Sequence, residues 1–318
     1  MTTPPSASPV LVNHRITVAP AAGRDARLAA FTFPRWRFAV TPQDGGDEPD
    51  PHLPSPFAAL VASDGDTPVG MALLVDNPDY DNARLCSISV ARAYRRQGIG
   101  TALATAAAEL AKSLGAKQLQ AMHNDRLPSR IAYETLLRSC SWNPPRPERV
   151  RVFGRADWVT AAAAEWAPIL ARLVRQGWRA TLWTELSTDE QARFAATVAT
   201  APELLRPVSE PNFDPVCLAL HRHDEIVGWV QGILELTPNH VYYPVGYVVP
   251  SLQGNGWLIA GLMDACRRQL AALGPDSVCH YQTADDNLAM QRFMLRRLDG
   301  RPGFLRIDTQ YFTEKNLV

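Results

Sequence analysis

Two stretches of this sequence read alike, and an internal duplication constrains the fold more than any single motif does. The first stretch runs DGDTPVGMALLV, then ARLCSISV, then ARAYRRQGIGTALATAAAEL. The second runs HDEIVGWVQGILEL, then VYYPVGYVV, then PSLQGNGWLIAGLMDACRRQL. Gly70 to Gly228 is an offset of 158, and Gly98 to Gly254 and Gly100 to Gly256 are each 156. A chain of 318 residues has room for two ordinary domains, so the repeat predicts two copies of one domain.

The periodicity agrees in both copies. Apolar, β-branched runs flank a short acidic turn at 58–75 and at 216–236, which predicts a hairpin in each. A further strand, 85–90 or 245–249, runs into a glycine-bearing loop. Ile99, Leu103, Ala107, Leu110 and Leu114 then recur at helical spacing, as do Ile259, Met263, Cys266, Leu270 and Leu273. Gly115 and Gly274 stand where a helix C-terminus favours glycine. A strand (117–122 or 277–282), a helix (129–138 or 287–298) and two closing strands complete each half. The expected fold class is α+β: tandem domains, each a mixed, mostly antiparallel sheet flanked by helices. The expected boundaries are a disordered tail at 1–12, a first domain at 13–156, a linker helix at 157–177 and a second domain at 178–318.

Charge and cysteine content narrow the partners. Lys plus Arg equals Asp plus Glu at 32 each, and without clustered positive charge a generic nucleic-acid-binding role is disfavoured. Cys86, Cys140, Cys217, Cys266 and Cys279 are odd in number and contain no C-x-x-C pair, so neither a disulfide framework nor a zinc site is expected. No apolar run nears the ~18 residues that cross a bilayer, and MTTPPSASPV lacks the features of a secretory signal. The expectation is a cytoplasmic protein with small-molecule partners, no membrane association and no metal. Two Pro- and Gly-rich loops, 41–56 and 201–215, are of the length that lines binding sites. Asp44, Asp47, Glu48 and Asp50 in the first read as a solvated face, with attraction of a cationic amine as the alternative.

The most informative segment is Arg95-Arg96-Gln97-Gly98-Ile99-Gly100-Thr101, between an apolar strand and an amphipathic helix. Glycines there let a ligand approach the backbone, and the helix N-terminus offers unpaired N–H groups and a positive dipole end. This is an anion site suited to a pyrophosphate. No Gly-Lys-Ser/Thr follows, so it is not a Walker A loop, and Leu103 stands where the dinucleotide fingerprint needs its third glycine.

R-R-Q-G-I-G, after a strand ending I-S-V and opening a long helix, resembles the R/Q-x-x-G-x-G/A acetyl-CoA loop of GNAT N-acetyltransferases. The segment RIAYETLL, 130–137, resembles the second signature of that family. The resemblance covers about 16–153 well and 181–312 more weakly. It implies that Arg95, Arg96, Gln97, Gly98, Ile99, Gly100 and Thr101 hold the pyrophosphate of acetyl-CoA, used as a cosubstrate. It implies that Ser89 and Val90 lie beside the pantetheine arm and thioester, and that Tyr133 protonates the departing thiolate. A tyrosine suits that task, since a thiol leaving group benefits from a positioned weak acid. The general base is less fixed: His123 is one candidate, with a structural or solvent-facing histidine as the other reading, and Asp76 and Asp79 are weaker ones.

In the second half Ser251 opens the loop where the family has Arg or Gln, while Gly254 and Gly256 are kept, so cofactor binding there stays open. The tyrosine position falls on Phe293, Met294 or Leu295, none of which can donate a proton. The expectation is therefore a catalytic first domain and a degenerate second one. The expected activity is acetyl or short-acyl transfer to a primary amine of a small metabolite by direct attack. The alternatives are an acyl-CoA-sensing module without turnover and an acetyltransferase acting on protein amines.

Overall fold

The computed structural model describes residues 9–13, 15–42, 57–77, 80–209, 211–235 and 237–317. In chain order the first half forms β1 (Val10–Leu11), β2 (Ile16–Pro20), β3 (Phe57–Asp64), β4 (Thr67–Asn77), β5 (Asn82–Val90), α1 (Ile99–Ser113), β6 (Gln118–Asn124), α2 (Arg130–Ser139) and β7 (Arg146–Arg155). The second half forms α3 (Trp158–Arg175), β8 (Trp178–Leu182), α4 (Thr188–Thr200), β9 (Leu218–Arg222), β10 (Glu225–Leu234) and β11 (His240–Val248). It closes with α5 (Trp257–Leu273), β12 (Val278–Ala284), α6 (Leu288–Arg297) and β13 (Phe304–Asn316). Most of the loop expected at 41–56, including its acidic cluster, lies outside the described residues, as does Asp79.

The chain divides into two units, Met1–Glu148 with Thr309–Val318, and Arg149–Asp308. In the first, the sheet order is β1-β2-β3-β4-β5-β6-β13; β5 and β6 are parallel and the other neighbouring pairs antiparallel. A parallel pair needs a crossover, and α1 supplies it, burying Leu103, Ala107 and Leu110 on a core that includes Leu60, Leu74 and Leu119. In the second unit the order is β7-β12-β11-β10-β9-β8, with α5 crossing between the parallel strands β11 and β12.

Three expectations are corrected. Each half has one long closing strand instead of two, and each strand completes the sheet built by the other half of the sequence. β7 follows α2 in the chain yet pairs with β12, from Val278 opposite Arg155 to Ala284 opposite Arg149. β13 follows α6 yet pairs with β6, from Gln310 opposite Asn124 to Asn316 opposite Gln118. Second, the helix expected as a linker, α3, is part of the second unit, where it buries Val159, Trp166 and Leu173. Third, Val10 and Leu11, expected within the tail, form a strand and pair with Val18 and Thr17. The boundaries 13–156 and 178–318 therefore differ from the structural division, because alternation within a strand fixes its faces but not its partner.

A costly group lies in the core of the second unit. His221 of β9 is fully buried and neither ring nitrogen has a hydrogen-bond partner. Burial, with the Arg179 charge adding to it, lowers its pKa from 6.5 to about 4. The unfolded chain therefore takes up this proton first as pH falls, and stability is lost between pH 6.5 and 4, by on the order of 3 kcal/mol. Urea unfolding at pH 7 and pH 4.5 should show this loss, and His221→Leu should flatten it. An equal loss in the variant would place the acid sensitivity elsewhere.

Candidate active site

Unit one carries its chemistry on the α1 and α2 face of the sheet. Hydrogen-bonded pairing of β5 with β6 runs only from Asn82–Gln118 to Leu85–Ala121, although β5 continues to Val90 and β6 to Asn124. The strands part there, leaving a wedge next to the loop that precedes α1. Gly98, at φ +81°, is the N-cap of α1 and makes no side-chain cap, so the first-turn amides of the helix have no acceptor from it. Arg96 also has a positive φ, +66°, a strain that persists only where surrounding structure holds it.

A groove of about 1090 Å³ opens on this loop. Arg96, Gly98, Gly100 and Thr101 line one side, and Arg130, Glu134 and Leu136 of α2 line the other. The rest of the loop is tied to its own backbone or packed in the core. Arg95 donates from Nε to the carbonyl of Val90 at 3.0 Å, Gln97 reaches the carbonyl of Ala93, and the Ile99 side chain is in the core. Arg95 thus anchors the loop to the end of β5. Ser89 and Val90 are half-buried in β5, opposite Met71 and Gly70, and do not line the groove.

Tyr133 and His123 come together, with ring centroids 5.4 Å apart and planes at 71°. Tyr133 is half-buried against the first core, and burial, reinforced by nearby Cys86, raises its pKa well above the usual phenol value. His123 is buried on the same face of β6 as Leu119 and Ala121. Its Nε2 lies 2.8 Å from Oε1 of Glu134, which also accepts from Nε of Arg130 at 2.7 Å. Burial pushes the Glu134 pKa up, but the hydrogen bonds from Arg130 and His123 outweigh it and the net shift is downward. With Glu134 ionised, Nε2 of His123 carries the proton, and Nδ1 is left as a buried lone pair without a hydrogen-bond partner.

The sequence reading missed three members of this group: Glu134, Arg130 and Tyr311. The i,i+4 spacing of Arg130 and Glu134 signals their pairing. Tyr311 carries no local signal, because it lies on β13. Its ring stacks on His123 at 5.5 Å and 18°, and the Arg130 guanidinium sits 4.3 Å above it. Asp76, a weaker candidate base, sits in β4 opposite Ala83, and burial raises its pKa.

The second loop is aligned by its hydrogen bonds rather than by glycine count. Gln253 donates to the carbonyl of Val248 as Arg95 does to Val90, and Gly256, at φ +90°, caps α5 as Gly98 caps α1. The offset is 158 throughout. Gln253, not Ser251, therefore opens this loop, and Leu258 stands where the first loop has Gly100. By helix start, Tyr133 corresponds to Gln291 rather than to 293–295; its amide donates to the carbonyls of Ala284 and Asp285. Gly254 and Gly256, expected to hold cofactor, keep their left-handed conformations, but α3 packs against Gly256. Arg172 donates to the carbonyl of Asn255 at 2.7 Å, and a side chain added at Gly256 would meet Ile169 at 2.8 Å. Trp158 and Trp166 of α3 reduce the space between α3, α5 and β12 to a cavity of about 90 Å³.

Residues 27–136 match the sequence profile of the Acetyltransferase (GNAT) family. The first unit carries a GNAT acetyltransferase domain. Among solved structures, the chain resembles a tandem GNAT protein from the clavulanic acid biosynthesis pathway, at 15% identity and TM-score 0.60, covering 96% of this chain and 99% of that one. It also resembles a GCN5-related N-acetyltransferase from Sphaerobacter thermophilus, at 15% identity and TM-score 0.52, covering 81% and 80%. A glucosamine N-acetyltransferase region of a fungal multi-domain β-N-acetylglucosaminidase matches 81% of this chain and 33% of its own, at 14% identity and TM-score 0.56. No curated protein sequence matches the chain. The protein thus has the tandem GNAT fold, with a GNAT acetyltransferase domain in its first half, and acyl transfer is the chemistry that domain supports. Among the described residues no helix is long and apolar enough to cross a membrane.

Proposed function

We propose that the first unit transfers an acetyl or short acyl group from acetyl-CoA to a primary amine of a small metabolite. The observation that carries this reading is the left-handed cap at Gly98, which opens the first-turn amides of α1 onto a groove flanked by Arg96 and Arg130. A pyrophosphate suits that combination of backbone donors, dipole and guanidinium charge. Behind the groove wall, His123 presents the lone pair of Nδ1 and Tyr133 a phenol kept protonated by burial. In direct attack the amine nitrogen bonds to the acyl carbon and the carbon–sulfur bond breaks. His123 accepts the amine proton and Tyr133 gives its own to the thiolate. Glu134 and Arg130 hold the imidazole in the tautomer this needs. Five unbridged cysteines suit a reducing, cytoplasmic setting.

We read the second unit as a non-binding partner, since α3 stands over its loop and Gln291 replaces the acid. One equivalent of acetyl-CoA per chain is then expected by calorimetry. Gly98→Val should abolish it, because valine is strained at φ +81° and projects into open groove. Gly254→Val should leave it intact in protein shown by circular dichroism to be folded. Two equivalents in the parent, or loss only in Gly254→Val, would reverse the assignment. Thiol release with pooled metabolite amines, against pooled peptides, tests the acceptor class. No release with either pool would favour a sensing module.

A further inference from the structure

Glu235 follows β10 directly, and β11 opens on His240. In the parallel pair, Val278 lies opposite His240 and His280 opposite Tyr242, so the two histidines share a face two positions apart. Nε2 of His240 is 2.9 Å from Nδ1 of His280. The Glu235 carboxylate faces both rings, with Oε2 3.6 Å from Nδ1 of His240 and Oε1 3.8 Å from Nε2 of His280. One ligand atom from each of the three residues falls within 4.8 Å of the others. The His280 ring is held between Tyr242, at 4.6 Å and 12°, and Phe153, at 4.8 Å and 13°, which fixes the direction of its nitrogens.

We propose that Glu235, His240 and His280 form a binding site for a divalent first-row transition ion, with zinc as the probe. Two imidazoles and a carboxylate are a donor set that suits zinc. An ion beside the carboxylate would be reached by the nitrogens that face it, Nδ1 of His240 and Nε2 of His280. Asp308 offsets part of the positive charge nearby, binding Arg151 at 2.7 Å and Arg306 at 3.3 Å. The ion would tie the turn after β10 to β12. No residue of the site belongs to the acetyltransferase unit.

The test is a zinc titration of chelator-treated, full-length protein, followed by a thermal melt. The expected result is one tightly bound equivalent and a raised Tm. Cobalt in place of zinc should give visible bands of a low-coordinate nitrogen and oxygen site. His240→Ala and Glu235→Gln should each weaken zinc by at least the roughly 10–100-fold that loss of an orienting partner costs. Glu235 is a third exposed, so its variant keeps the fold test clean. No zinc uptake by the parent, or equal affinity in both variants, would overturn the site and leave only a histidine pair sharing a proton.

Discussion

Ending the chain at Asp308 is expected to abolish acetyl-CoA binding and turnover, although it removes none of the cofactor loop. The lost segment is the last strand of the first sheet, paired with β6 over seven positions. Thr313 and Lys315 donate side-chain hydrogen bonds to the carbonyls of Asn143 and Cys140, both at 2.6 Å, and Leu317 is buried in the first core. Losing each of these bonds costs about 0.5–1.5 kcal/mol, and exposing Leu317 roughly another 1.5–3. With the bare edge of β6, the sum is comparable to the ~5–15 kcal/mol that holds an ordinary domain together. Loss of the first unit's cooperative melt, alongside a retained transition for the second, is the expected readout. Tyr311→Ala keeps the strand and should leave cofactor affinity nearly unchanged while lowering turnover, because the ring stacked on His123 is gone. A truncated chain that binds acetyl-CoA as tightly as the parent would refute the role of the exchanged strand.

Tyr133→Phe is expected to lower kcat by roughly 10²–10⁴, the usual contribution of a general acid, and to leave the Kd for acetyl-CoA within a few-fold. The ring still packs on the first core and against His123, so the fold has little reason to change. Burial raises the Tyr133 pKa, so the donor stays protonated throughout the neutral range and should impose no alkaline limb there. His123→Gln offers the complementary readout. It keeps a polar partner for Glu134 but removes the proton acceptor, so kcat should fall while the Kd for acetyl-CoA stays within a few-fold. Full activity in Tyr133→Phe would mean that the thiolate departs without this proton.

The local signals in the sequence were sufficient for the elements and for the first loop. Period-3.6 spacing marks α1, the strand–loop–helix pattern marks the Gly98 cap, and the repeat marks two copies of one fold, because each depends on residues close together in the chain. Tyr133 is named by the resemblance of its helix and His123 by its place at the end of β6; the structure brings the two ring centroids to 5.4 Å. Pairing was not legible. The exchange of β7 and β13 rests on pairing between residues about 120–200 positions apart, and alternation looks the same whichever sheet a strand joins. The register of the second loop was misread by two residues because glycines were counted. Only the bonds of Gln253 and Arg95 to the preceding strands show which positions correspond. Likewise, nothing in 157–177 says that Arg172 and Ile169 will lie over Asn255 and Gly256, or that Tyr311 will stack on the histidine of another segment. Those contacts arise where apolar faces and unpaired edges find partners far along the chain, and that choice belongs to the tertiary structure.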